Sequence, residues 1–167
     1  GGIASARRAA TYGKKVGIIE SGRLGGTCVN VGCVPKKVMW NAAGIAETLH
    51  DMKHYGFSGG ELDGISFDWG FLKESRDAYI RRLNDIYKRN MANSNVTLIS
   101  GRASIVADQE EGLAKLVQVI HDEESSDGSG KEGRTVASYS ADRVLIAAGG
   151  YPMFPPGEGI MDHSISS

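Results

Sequence analysis

The alternation of apolar and polar positions divides the chain into a front half of helical spacing and a back half of strand spacing. Residues 3–12 carry small side chains, with Ala6, Ala9 and Ala10 suited to close packing on a sheet, and Gly13 closes this predicted helix. Val16, Gly17, Ile18 and Ile19 follow as a short apolar run ending at Glu20, the pattern of a buried parallel strand. A second helix is predicted over residues 35–50 from Val38, Met39, Ala42, Ala43, Ile45, Ala46 and Leu49, and a loop over 56–68. Leu72, Tyr79, Ile80, Leu83, Ile86 and Tyr87 then recur at helical spacing among charged residues, predicting a long amphipathic helix over 71–91. Beyond Asn95 come β-rich runs at 96–99, 103–107, 116–120 and 136–139. Residues 121–135, HDEESSDGSGKEGRT, read as a flexible hairpin loop, and 143–148, RVLIAA, as another buried strand running into Gly149 and Gly150. The chain shows no internal repeat.

Composition narrows the class. With 41% hydrophobic and 23% charged residues, the chain suits one soluble globular domain. A net charge of -1 offers no electrostatic footprint for nucleic acid or an anionic membrane, and neither is expected as a partner. No apolar run approaches the roughly 20 residues that span a bilayer, and no leader resembling a signal peptide is present, so an intracellular setting is expected. The order helix, tight turn, strand, acid is the latter part of a βαβ unit. In the dinucleotide fingerprint a third glycine opens the helix and an acidic residue about 20 positions on meets the ribose; here Gly2 and Glu20 take those places. The first two glycines of that motif would lie before residue 1. A helix already under way at the start, and an end at HSISS without a closing element, predict a piece of a longer protein.

The chain has 2 cysteines, Cys28 and Cys33, inside GGTCVNVGCVPKK. Pro35 suits the first turn of a helix, whose positive end would lie beside Cys33, and Lys36 adds a cation; both favour thiolate, the form that attacks disulfides. Three readings follow from the residues alone. The cysteines could be small buried hydrophobes. They could bind zinc with His50 and His54 in a loose C-x4-C-x16-H-x3-H pattern, making the chain a non-catalytic zinc module. Or they could form a redox-active disulfide.

The stretch GGTCVNVGCVPKKVMWNAA, with SARRAA before it and RLNDIYKRN after it, resembles the flavin-dependent disulfide oxidoreductases, and among them the branch that reduces oxidised glutathione. The similarity covers nearly the whole chain apart from 121–135 and the tail after Pro152. It implies an α/β fold: an incomplete three-layer, Rossmann-like FAD/NAD(P)-binding domain carrying an inserted antiparallel β segment. Residues 1–167 would be part of the FAD-binding domain, with the NADPH-binding and dimer-interface domains outside the chain. Electrons would pass from NADPH to FAD, to the cysteine pair, and on to oxidised glutathione, maintaining cell redox homeostasis.

The resemblance also assigns roles. Cys33 would be the thiol nearer the flavin and Cys28 the interchange thiol, with Lys36 beside the flavin ring as the third catalytic residue. Cofactor contacts would come from Gly1 at the pyrophosphate, Glu20 at the ribose, Thr27, Cys28, Lys36, Ala103 on the adenine side, and Gly149. Ala148 stands where the family usually has threonine, which removes a hydroxyl but not the backbone approach at Gly149. Arg7, Tyr87 and Asn90 would contact glutathione, Arg7 through a carboxylate. The full-length protein would be a cytoplasmic homodimer, with mitochondria as a second compartment, and its acid-base histidine would come from the partner subunit. The sister enzymes thioredoxin reductase, dihydrolipoyl dehydrogenase and mercuric reductase are the nearest alternatives.

Overall fold

A computed structural model describes residues 1–58, 64–106, 115–122 and 134–166. In chain order the elements are α1 (Gly2–Thr11), β1 (Val16–Glu20), α2 (Gly26–Asn30), α3 (Cys33–Asp51), a 3-10 turn (Met52–Tyr55), α4 (Trp69–Asn93), β2 (Val96–Ser100), β3 (Arg102–Val106), β4 (Lys115–Asp122), β5 (Arg134–Ala141) and α5 (Ile160–His163). They form two units, one of Gly1–Leu24 with Ile86–Gly150 and one of Gly25–Asp85 with Tyr151–Ser167. No helix among the described residues is long and apolar enough to cross a membrane.

In the first unit β1 and β2 pair in parallel, from Val16 opposite Val96 to Glu20 opposite Ser100. The chain between them is a helical crossover, as parallel pairing requires. Helix α1 turns back at Gly13 into β1. Ten helical residues rise about 15 Å and five strand residues about 16 Å, so the start of α1 and the end of β1 share one edge of the sheet. Ligands of open α/β sheets bind at the carboxyl ends of strands, which is this edge.

The second sheet of this unit is antiparallel, in the order β3-β4-β5. Its core-facing residues alternate as a half-buried strand should: Val117 and Val119 are 6% and 0% exposed. Gly101 is the joint between the two sheets. Its N–H donates to the Glu20 carbonyl at 3.0 Å, its φ is +143°, and a Cβ there would lie 2.6 Å from the Ile120 carbonyl oxygen. Only glycine fits a position that combines this backbone angle with so close an approach.

Two expectations need correction. The run RVLIAA is not a strand: residues 143–148 join no ladder among the described residues, and Leu145 and Ile146 are 68% and 74% exposed. An apolar run becomes a buried strand only where a hydrogen-bonding neighbour lies alongside it, and no described segment does. The hairpin loop is shorter than 121–135, because the β4–β5 ladder continues through His121 opposite Thr135 and Asp122 opposite Arg134. Residues 123–133 lie outside the described residues.

In the second unit α3 extends two residues beyond the predicted start, to Cys33, and α2 was not foreseen at all. Pro35 is the third residue of α3, not the first; its missing N–H still costs nothing there, since the first four N–H groups of a helix lack an intrahelical acceptor. Helix α4 starts behind Asp68, whose carboxylate accepts the Phe71 N–H at 3.0 Å, an N-cap contact. Ile80 on α4 is 4% exposed and belongs to the core that its spacing predicted. One turn earlier on α4 Asp77 accepts from Lys73 at 2.9 Å and from Arg76 at 2.7 Å.

Gly101→Ala should lower the free energy of unfolding by about 3 kcal/mol, through backbone strain and overpacking together; urea unfolding would detect it as a lower midpoint. Asp77 supplies a pH signature. Its hydrogen bond with Lys73, and next that with Arg76, bring its carboxyl from 3.8 down to about 2. A depressed carboxyl contributes stability that is fully present above the unfolded-state value and lost as pH falls through the folded one. Stability should therefore decline between about pH 4 and 2, and Asp77→Asn should flatten that part of the profile.

Candidate functional site: an exposed dithiol and a nucleotide-binding edge

Cys28 lies within α2 and Cys33 opens α3, so the two thiols stand on successive helical segments joined by Val31 and Gly32. Backbone contact holds the segments together. A Cβ on Gly32 would lie 2.9 Å from the Thr27 carbonyl oxygen and 3.3 Å from the Cys28 Cα, so any side chain there would push Cys28 away from Cys33. Val29, 5% exposed, buries the inner side of α2. The Asn30 amide donates to the Gly26 carbonyl at 2.9 Å and accepts from the Asn84 amide of α4, also at 2.9 Å. Both ends of the five-residue helix are thereby tied down.

Both cysteines are exposed free thiols, which overturns the reading of them as core hydrophobes. The zinc reading lacks its ligand set: among the described residues no group of three or more His, Cys, Asp or Glu is placed to hold a metal ion. His50 instead contacts Asp51 at 2.9 Å, and its ring centre is 6.5 Å from that of His54.

The Cys28 thiol is pushed above the usual thiol range. The hydrogen bond with the Cys33 side chain is the largest cause, followed by partial desolvation and by the charge of Cys33, against which the Cys33 backbone N–H acts more weakly in the other direction. At Cys28 the sulfur in direct contact is thus the dominant influence. Lys36 is exposed in the first turn of α3, where its N–H donates to the Gly32 carbonyl at 3.1 Å, and Thr27 is exposed on α2. A cavity of about 300 Å³ lined by Glu47, Thr48, Asp51, Met52, Tyr55 and Phe57 contains none of these residues.

The first unit holds the remaining residues singled out from the sequence. Gly1 caps α1 with no side-chain hydrogen bond, leaving the helix N–H groups without a built-in acceptor. A Cβ on Gly2 would lie 3.2 Å from that of Ala147, which brings the segment leading to Gly149 beside the helix start. Gly149 has φ +75° and open space where a side chain would be. Glu20, at the end of β1, accepts the Gly22 N–H at 3.0 Å through its carboxylate, and its carbonyl takes the Gly101 N–H. Ala103 follows two residues later on β3 and is exposed. A helix N-terminus, an oriented carboxylate and backbone unobstructed by side chains at one sheet edge suit the phosphate and ribose of a dinucleotide.

Arg7 is exposed on α1 and donates through Nε to Ser94 Oγ at 3.0 Å. The Ser94 N–H donates in turn to the Asn90 carbonyl at 3.2 Å. The structure thus joins Arg7 to the end of α4 that carries Asn90, with half-buried Tyr87 one turn earlier. Arg8 is engaged differently, its guanidinium lying 5.0 Å from the centre of the Tyr12 ring.

The sequence profile of the pyridine nucleotide-disulphide oxidoreductases matches residues 1–167. The chain belongs to this family. It is 49% identical over 156 residues to a glutathione reductase of Schizosaccharomyces pombe and 48% identical over 158 to one of Yarrowia lipolytica, covering 93% of this chain in each case. It spans only 30% and 31% of the length of those relatives. The crystal structure of LpdA from Mycobacterium tuberculosis superposes with a TM-score of 0.69 at 21% identity, over 93% of this chain and 30% of that one. That likeness supports the Rossmann-like α/β fold with its antiparallel insertion.

Sequence reasoning missed Ser94, Asn30 and Asn84. The last two lie 54 residues apart and Ser94 lies 87 from Arg7; no local pattern announces such contacts. Replacing Cys33 with alanine removes the main cause of the raised Cys28 thiol. In Cys33→Ala the pH midpoint for alkylation of Cys28 by iodoacetamide should fall, with faster labelling at a fixed pH near 8.

Proposed function

We propose that the chain is part of the FAD-binding portion of a glutathione-disulfide reductase that draws its electrons from NADPH. The observation that carries this reading is the exposed pair Cys28 and Cys33, side by side on two helical segments whose close approach depends on the missing side chain of Gly32. Identities of 46 to 49% to curated glutathione reductases support the choice of substrate over the sister enzymes.

The residues of the nucleotide edge fit FAD. The uncapped start of α1 at Gly1 would receive the pyrophosphate, Glu20 the ribose hydroxyls, and Ala103 and Gly149 would offer backbone; Thr27, Cys28 and Lys36 would meet the cofactor from the dithiol segment. FAD, when bound, supplies the transfer of two electrons from NADPH to the cysteine disulfide.

The dithiol then does exchange chemistry. Cys28, as thiolate, attacks one sulfur of oxidised glutathione, forming a mixed disulfide and releasing one glutathione thiolate that takes a proton. Cys33 attacks the Cys28 sulfur, closes the Cys28–Cys33 disulfide and releases the second glutathione. Two thiols are oxidised and one substrate disulfide is reduced. Because contact with Cys33 pushes the Cys28 thiol up, a base would assist the first step, and the acid-base histidine of a partner subunit in a cytoplasmic homodimer is the proposed source. Arg7 would bind a glutathione carboxylate, with Tyr87 and Asn90 beside it.

The test uses the full-length protein. NADPH oxidation should be driven by oxidised glutathione and lost in Cys28→Ser, and Arg7→Gln should raise KM for oxidised glutathione about tenfold or more. Preference for lipoamide, thioredoxin or mercuric ion over oxidised glutathione in a steady-state assay would overturn the assignment.

A further inference from the structure

We infer that Ser94 is the positioning residue for Arg7, holding the guanidinium by its Nε so that the two terminal nitrogens are presented to a substrate carboxylate. The inference rests on the glutathione reading above and extends it to a residue that contacts no substrate itself.

The geometry separates the two ends of the guanidinium. Nε donates to Ser94 Oγ at 3.0 Å, while Nη1 and Nη2 have no partner among the described residues. Those two nitrogens form the fork that matches a carboxylate end-on. An arginine on an exposed helix face loses much rotamer freedom when it clamps a ligand; one already tethered at Nε has less to lose. The neighbouring Arg8 lies over Tyr12 instead, so the two arginines of SARRAA are held in different places by different partners.

A positioning group must itself be fixed. The Ser94 N–H is shared between the carbonyls of Asn90 at 3.2 Å and Met91 at 3.1 Å, closing the end of α4. Asn95 follows in the left-handed region at φ 55°, its N–H donating to Ala92 at 3.0 Å, a helix-ending turn. Core residues flank this turn, with Met91 1% and Val96 5% exposed. Ser94 therefore projects from backbone pinned on both sides. Tyr87 and Asn90 share one face of α4, and Ser94, in the turn that ends this helix, tethers Arg7 beside them.

The experiment is steady-state kinetics on the full-length enzyme with Ser94→Ala, Ser94→Thr, Arg7→Gln and the double variant Ser94→Ala/Arg7→Gln. Loss of one tethering hydrogen bond should raise KM for oxidised glutathione about two- to tenfold, with KM for NADPH unmoved. Threonine should restore the parent KM, and the double variant should be no worse than Arg7→Gln alone, because Ser94 acts through Arg7. A parent-like KM in Ser94→Ala, while Arg7→Gln is impaired, would overturn this inference and leave the substrate reading intact. Equal damage to both KM values, or additive effects in the double variant, would also overturn it. A parent-like KM in Arg7→Gln would overturn the carboxylate anchor, and the role of Ser94 with it.

Discussion

The hydrogen bond from the Gly101 N–H to the Glu20 carbonyl is the constraint on which the first unit depends. It ties the end of β1 to the start of the antiparallel sheet at a place where the chain must leave one sheet and enter the other. Because Gly101 approaches Ile120 so closely, the antiparallel sheet begins directly beside the acidic end of the parallel pair. Glu20 and Ala103 are neighbours for this reason. A bulkier joint would keep both sheets and still lose the edge, since the carboxylate and the backbone expected to meet one cofactor would no longer share a location.

The second unit solves a similar problem at Gly32. Two helical segments approach backbone to backbone so that their thiols can meet, and the Asn84–Asn30–Gly26 chain holds the shorter segment while its sulfur stays accessible. The polarity of that chain is set by its ends: the Gly26 carbonyl can only accept, so Asn30 must turn its amide nitrogen there and offer its oxygen to Asn84. Exposure of the thiols and rigidity of their supports are thus separate achievements of the same few residues.

Much of this was legible in the sequence, for definite reasons. Helices α1, α3 and α4 have faces long enough for a 3.6-residue period to show, and β1 to β5 have the β-branched runs of strands. The five residues of α2 span little more than one turn, too short for a period, and begin in glycine. The run RVLIAA has strand composition, yet composition does not provide a ladder partner. The dithiol motif was legible as chemistry because it is dense in rare residue types; its electrostatics were not, since the dominant effect on Cys28 is the geometry of its contact with Cys33. Arg7 was legible as a charge on a matching motif, whereas its tether arrives from 87 residues away. Local pattern reveals which groups are present, and tertiary contact decides how each is held.

The upward push on the Cys28 thiol carries one more consequence. Both thiols are open to solvent, and peroxides and electrophiles attack an accessible cysteine in proportion to its thiolate character. A thiol pushed above its usual range carries less thiolate at a given pH and is attacked more slowly. Exposure and durability, which ordinarily trade against each other in a redox protein, are here reconciled at Cys28 by the sulfur next to it.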